Sequence, residues 1–408
     1  MSQPIGKNTI ICFTASYPFG TRETYFDNEL QYLSKAFDRV YILPTYNPTK
    51  SNVQRKVPPN VIILPIASPQ GAPRILQGIF NLSPITPFLT DMWENKVYKK
   101  RVHFSKWLNA FLVFRIKYKK LRKLLKNAES DTLLYSYWGG PTVFITNLCK
   151  PYKKIIRMHG GDFYLNRNNG YLPLRKKVYQ SADLLLPISN DIAGLLRKDY
   201  GIEPEKIFLN YLGVNNHVTV NNTTPNDIIR VVSCSNVYPL KRVHIIAATI
   251  CKWKSNIKIE WHHFGDGPEM DKIKALTENC RSTNVNIFFY GWASTEDIYN
   301  FYNSHYVTWL INVSKYEGVP VSIMESFSFG IPAIATDAGA TSEIVNNTNG
   351  ILTDLDVTEE VLEGYILSYH DENYQEKRKN AQITWEKKFN AEKNYTQLVS
   401  KLKSLSVI

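Results

Sequence analysis

Short, nearly continuous apolar runs alternate with amphipathic helical stretches along this 408-residue chain, and that rhythm limits the fold more than any other feature. The runs Thr9–Thr14, Val40–Pro44, Val61–Ile66, Thr132–Trp138, Lys154–His159, Leu184–Ser189 and Ile207–Leu212 are rich in Val, Ile, Leu, Phe and Tyr. Such uniformity suits parallel strands buried on both faces. Between the first two, the spacing of Phe26, Leu30, Leu33 and Phe37 predicts a helix over Glu23–Phe37 with one apolar face. Residues 215–227 (NNHVTVNNTTPND) carry few large apolar groups and read as a linker. The rhythm then restarts with Ile229–Cys234, Ile257–Phe264, Val285–Tyr290, Val307–Asn312, Pro332–Thr336 and Ile351–Thr353. The prediction is α/β: two doubly wound Rossmann-like domains facing each other across a cleft. Their expected bounds are 1–214 and 228–390, with a closing helix in 391–408 carrying Tyr395, Leu398, Leu402 and Leu405. Ligands of such sheets bind beyond the carboxyl ends of the strands.

Residues 67–130 interrupt the alternation. They begin Pro-rich and continue basic and aromatic, which predicts an insertion with one or two helices. Charge is uneven along the chain. The net balance is +13, yet residues 1–215 hold 31 basic and 14 acidic side chains, and residues 95–126 alone hold 12 Lys/Arg and no acid. Within 104–125, Phe104, Trp107, Leu108, Phe111, Tyr118, Leu121 and Leu125 form a broad apolar stripe. A basic amphipathic helix with aromatics suits an anionic membrane surface; the plainer alternative packs the stripe on the first sheet. No nucleic-acid recognition module accompanies the charge, so nucleic acid is not an expected partner.

The five cysteines are widely spaced and contain no CxxC, so neither a zinc site nor a disulfide framework is expected. A reducing, cytoplasmic setting fits. The N-terminus lacks a cleavable signal pattern and no apolar run approaches the length of a membrane span. The expected location is therefore cytoplasmic, peripheral on the inner face of the cell membrane.

The chemistry concentrates in Ser314–Val345 (SKYEGVPVSIMESFSFGIPAIATDAGATSEIV). Glu317-Gly318 turns the chain into a short helix entered through Pro320 and stopped at Gly330-Ile331-Pro332. Amides at that helix start favour an anion, and Glu317 and Glu325 can accept hydrogen bonds from sugar hydroxyls. Glu317-Gly318, Pro320, Glu325, Gly330-Ile331-Pro332, Ala335-Thr336, Gly339 and Glu343-Ile344-Val345 stand in register with the E-x7-E run of the retaining family 4 glycosyltransferases of GT-B fold, which this chain resembles. Ala340 departs from it, standing where a second glycine is usual.

That resemblance implies roles. Glu317 would meet the donor sugar, Glu325 the ribose, and the backbone of Gly318, Val319, Pro320 and Val321 the sugar or diphosphate. In SNVYPLKRV, Lys241 matches the family's phosphate-binding lysine. Asn236 replaces the usual arginine, and Arg242, at the usual glycine position, is the candidate to compensate. Gly265 opens a turn lining the nucleotide pocket, and Gly291-Trp292 resembles the loop that meets the base. Arg157-Met158-His159-Gly160-Gly161-Asp162 resembles the segment whose histidine faces the donor sugar, and Gly20 sits in the glycine-containing loop after the first strand. For Glu23 a functional role and a simple helix-start acid weigh equally. The catalytic set is then Glu317, His159 and Lys241. No metal or cofactor is expected beyond a nucleoside-diphosphate sugar, and the acceptor would be a glycan or lipid-linked. Two rivals stay open: a nucleotide-sugar epimerase of similar fold, and a non-catalytic sugar-binding protein.

Overall fold

The structure, a computed structural model, describes residues 8–20, 23–65, 67–69, 71–125, 128–140, 152–216, 228–278, 280 and 282–406. The chain divides into two compact units, one of residues 1–211 with 393–408 and the other of residues 212–392. Most of the expected linker, residues 217–227, lies outside the described residues, as do Thr21, Arg22 and Cys149.

Among the described residues, unit 1 is built on six strands: β1 (Thr9–Thr14), β2 (Arg39–Pro44), β3 (Val61–Ile63), β4 (Leu133–Ser136), β5 (Lys153–Met158) and β6 (Leu184–Pro187). All pair in parallel, in the order β3-β2-β1-β4-β5-β6. Unit 2 repeats the plan with β7 (Ile228–Cys234), β8 (Lys258–Phe264), β9 (Val285–Phe289), β10 (Trp309–Asn312), β11 (Ala333–Thr336) and β12 (Gly350–Thr353), ordered β12-β11-β10-β7-β8-β9. Both sheets therefore reverse direction beside their first strand, at β1/β4 and β7/β10, where doubly wound sheets bind ligands.

The apolar runs explain the cores. All six residues of β1 are buried. Helix α1 (Thr24–Ala36) buries Phe26, Leu30 and Leu33, and Phe37 just after it is buried too, as the spacing predicts. The helix Ala391–Ser406 returns to unit 1, where Tyr395, Leu398 and Leu402 are fully buried and the Tyr395 ring lies 5.4 Å from Tyr32.

Three expectations need correction. Ile207–Leu212 is not a strand: it lies beside β6 through one bridge, Leu185–Ile207, with the amides of Phe208 and Asn210 donating to Leu185 O and Pro187 O, while the Asn210 side chain accepts from Arg157. Among the described residues, the insertion holds three α-helices rather than one or two: α2 (Ala72–Phe80), α3 (Thr86–Glu94) and α4 (Arg101–Leu125). Much of the α4 stripe is used internally, with Trp107, Phe111, Leu121 and Leu125 buried. The rings of Trp107, Phe111 and Phe114 surround Phe88 of α3 at 5.0–6.0 Å. Lastly, Cys251 and Cys280 form a disulfide, which their separation of 29 residues conceals. The helices Val243–Cys251 and Met270–Thr277 pack side by side and bring the two cysteines together.

Candidate active site

In unit 2, the chemistry-bearing residues emerge from the carboxyl ends of β7 and β10, the two strands at the reversal. Beyond β7 the chain makes one 3-10 turn, Pro239–Lys241, and the Lys241 Nζ donates to Glu317 Oε1 at 2.5 Å. Glu317 follows β10 and is 9% exposed. Asn312, at the end of β10, donates to the same oxygen at 3.3 Å. Burial pushes the Glu317 carboxyl up, but the Lys241 charge and hydrogen bonds from Lys241, Ser314 and Asn312 prevail and hold it below its ordinary value. Glu317 is thus an ionised acceptor fixed by a cation.

The backbone beside it is equally tied. Gly339 follows β11 at φ 60°, and a Cβ there would fall 2.1 Å from the Glu317 carbonyl oxygen. Only glycine allows that approach. Ala340 donates its amide to Gly318 O at 3.2 Å and has φ −94°, a conformation any residue adopts, so the departure from glycine costs nothing. Val319 is buried, and Pro320 caps the helix Val321–Ser328. One and a half turns in, Glu325 has no hydrogen-bonded partner for its carboxyl group among the described residues, and burial pushes that group up to about 7.

Arg242 is turned away from a phosphate-binding task. Its Nε donates to Val313 O at 2.6 Å, its Nη1 to Leu355 O at 2.5 Å and its Nη2 to Ser314 O at 3.5 Å. It braces the loop that carries Glu317. Gly265 leaves β8 at φ 138°, where a Cβ would lie 1.9 Å from Ser235 O; its amide donates to Gly291 O at 2.7 Å. These contacts clamp the loops after β7, β8 and β9 together. Trp292 is 59% exposed and, with Phe264, Tyr290, Asp297 and Phe301, lines a cavity of about 400 Å³.

Unit 1 gathers a second cluster at its own reversal. Glu23, at φ 60°, folds its carboxylate back under the loop after β1. It accepts from the amides of Ala15 (3.0 Å), Ser16 (2.7 Å) and Tyr17 (2.7 Å) and from Trp138 Nε1 (2.6 Å). It is the organiser of that loop, more than a favourable charge at a helix start. Gly20, at φ 73°, accepts from Arg55 Nε and Nη2 at 3.1 and 2.8 Å through its carbonyl.

His159, just past β5, is 5% exposed and lies 4.6–5.5 Å from the rings of Trp138, Tyr137 and Tyr25. Burial, reinforced by Arg157, drives its pKa well down, so the ring is neutral. Its Nε2 lies 3.1 Å from Tyr137 O, and a carbonyl only accepts, so the proton sits on Nε2 and Nδ1 is an acceptor. Asp162 closes the segment matched in the sequence but was given no role there; it accepts from the amides of His159 (2.8 Å) and Gly139 (2.6 Å). Burial pushes it up to about 6 against the pull of Arg175 and those amides. Asn312, Trp138 and Asp162 share one sequence signal: each stands at or just past the carboxyl end of a predicted strand.

Beneath this cluster, Arg157 is wholly buried. It donates to Tyr135 Oη at 2.7 Å and Asn210 Oδ1 at 2.6 Å and pairs with Glu29 Oε2 at 3.1 Å. Asn210 in turn donates to Asn394 O at 2.9 Å. Arg157 therefore serves the frame.

Comparison with known proteins agrees with this geometry. Residues 23–217 match Glycosyltransferase Family 4 and residues 214–385 match Glycosyl transferases group 1. The chain is 26% identical over 278 residues to the O-antigen biosynthesis glycosyltransferase WbnH of Escherichia coli, covering 64% of this chain and 73% of that one. It is 26% identical over 184 residues to the putative colanic acid biosynthesis glycosyltransferase WcaL of Salmonella typhimurium (strain LT2), covering 43% and 44%. Among solved structures, Anabaena Alr3699/HepE in complex with UDP shares the fold, with TM-score 0.65 at 15% identity over 97% of this chain and 100% of that one. The Lys241–Glu317 centre, the neutral His159 and the matches spanning residues 23–385 together place this chain in the family 4 glycosyltransferases, and the transfer reading prevails over the epimerase and the non-catalytic protein.

Proposed function

We propose that this glycosyltransferase takes a sugar from a nucleoside-diphosphate donor and passes it, with retention at the anomeric carbon, to a hydroxyl of a surface-glycan acceptor. The observation that carries the reading is the Lys241–Glu317 pair at the reversal of the unit 2 sheet. A diphosphate leaving group needs a positive counter-charge, and Lys241 supplies one without a metal. Glu317, kept ionised, accepts hydrogen bonds from the donor sugar's hydroxyls. Glu325, with an unsatisfied carboxyl group, suits the ribose. Binding of UDP by Alr3699/HepE supports a nucleoside diphosphate as the leaving group.

Retention follows from front-face attack. The acceptor oxygen forms its bond to the anomeric carbon on the side from which the diphosphate departs, and the leaving phosphate oxygen takes the acceptor proton. The protein's share is orientation and charge stabilisation. The test is a panel of nucleotide sugars screened for thermal stabilisation, followed by turnover with the best donor and the anomeric configuration read by NMR. Lys241→Ala should lower turnover at least ~100-fold with the folded spectrum unchanged; full turnover in that variant removes the proposal.

We further propose that unit 1 meets an anionic membrane at the insertion. Ile75, Leu76, Ile79 and Phe80 of α2, and Leu82 beyond it, are 51–86% exposed and adjoin the Lys- and Arg-rich residues 95–126. Apolar side chains beside a basic field complement an anionic interface. Flotation with vesicles containing anionic lipid should carry the protein upward at low salt, and Phe80→Asp/Leu82→Asp should abolish it. Among the described residues, no helix is long and apolar enough to cross a membrane.

A further inference from the structure

A cavity of about 610 Å³ opens in unit 1 beyond the carboxyl ends of β2 and β4. Thr45 follows β2, Gly140 follows β4, and α2 and α4 close the other side with Arg74, Asn109 and Lys117. It therefore belongs to the ligand-binding edge of the sheet but is distinct from the Glu23–His159 cluster. No Asp or Glu stands among the described residues that line it.

Its two cations are built in. Lys117 is 3% exposed, and its Nζ donates to the Thr45 hydroxyl at 2.7 Å, which itself donates to Thr14 O at 2.8 Å. Arg74, in the first turn of α2, has Nε on Pro69 O at 2.8 Å and Nη1 on Asn109 Oδ1 at 2.7 Å. Those bonds fix the guanidinium beside the cavity. Burial and the nearby Arg74 push the Lys117 ammonium down to about 7. Two cations fixed beside one cavity, with no acid among its described lining residues, complement an anion.

We infer that this cavity holds a phosphoryl group of the acceptor, gripped by Lys117 and Arg74. The inference rests on the transfer reading, since it assigns the anion to the acceptor.

The test is calorimetric titration of the full chain carrying Lys241→Ala, which weakens the donor-side diphosphate site. Two probes are used, inorganic phosphate and octyl phosphate. Saturable binding should fall at least ~10-fold in Lys117→Met and in Arg74→Gln. Lys117→Met removes a buried charge at matched length, and Arg74→Gln is a second route should that variant misfold. Octyl phosphate binding tighter than phosphate identifies a lipid headgroup; equal binding identifies a water-soluble phosphorylated acceptor. Binding unchanged in both variants, or none in the parent, overturns the site. In the Lys241-intact chain, Lys117→Met should leave donor affinity unchanged and raise the acceptor KM. Phosphate bound without any sugar transfer would uphold the site while refuting the transfer reading.

Discussion

A single half-buried carboxyl group, Glu325, makes the clearest solution signature. Its pKa stands near 7 rather than at its ordinary value because burial penalises the charged form. With the folded value raised, the folded protein binds the proton more tightly. Stability is therefore lost as pH rises from the ordinary carboxylate value through about 7. Glu325→Gln should gain roughly 3 kcal/mol relative to the parent at pH 8 and little at pH 4, measured by urea unfolding at both. Donor affinity should behave oppositely. The ionised form accepts from ribose hydroxyls, so the parent's affinity should rise from pH 6 to pH 8 and that of Glu325→Gln should stay flat. At Gly339, replacement by Ala forces a positive φ on an L residue and pushes against the Glu317 carbonyl. Turnover should drop at least ~10-fold, with a stability loss of about 1–3 kcal/mol. Glu317 and Gly339 were legible because their spacing sits inside one long motif, and Lys241 because it sits in a second, SNVYPLKRV. Arg242 was not, because a sequence cannot show that a guanidinium turns onto the carbonyls of Val313, Ser314 and Leu355.

Strands were the most readable elements. Among the described residues, each of the twelve strands starts or ends within one residue of an expected apolar run, since strands buried on both faces leave little ambiguity. Ile207–Leu212 shows the limit: an apolar run of the same character bonds only briefly to the edge strand β6. The packing of the insertion was hidden for another reason. Gly78 lets α2 approach so closely that a Cβ there would meet Leu112 Cδ2 at 2.5 Å, and that contact has no periodic signal. The ties between elements also escape a linear reading. Arg157 of β5 joins Glu29 of α1, Tyr135 of β4 and Asn210 into one buried network. Arg157→Met should cost about 3–5 kcal/mol in urea unfolding, because it strands a buried Glu29. Adding Glu29→Leu should recover part of that loss, and a double variant no more stable than the single one would mean that the ion pair is not the source.

At the scale of the molecule, the chain visits unit 1, builds unit 2 as an uninterrupted stretch and then returns. A strand order repeated in both units shows how far two-domain architecture follows from alternating patterns alone. The return could not be read so directly: only the helical spacing of Tyr395, Leu398 and Leu402 hinted at it. Ending the chain at residue 390 should leave the Tyr32 side of α1 uncovered. Limited proteolysis should then cut unit 1 first, while residues 212–390 stay protected. Equal resistance of both units would contradict the burial seen for those three side chains.

The same return carries a consequence for biosynthesis. Residues 212–392 must leave the ribosome between the body of unit 1 and the helix that completes it. At about 5–20 residues per second, that interval lasts roughly 10–40 s. During it, the apolar groove awaiting Tyr395, Leu398 and Leu402 stands open on a nascent chain. Unit 1 is the first to emerge and the last to finish folding, and a chaperone acting on this protein would find its binding surface there.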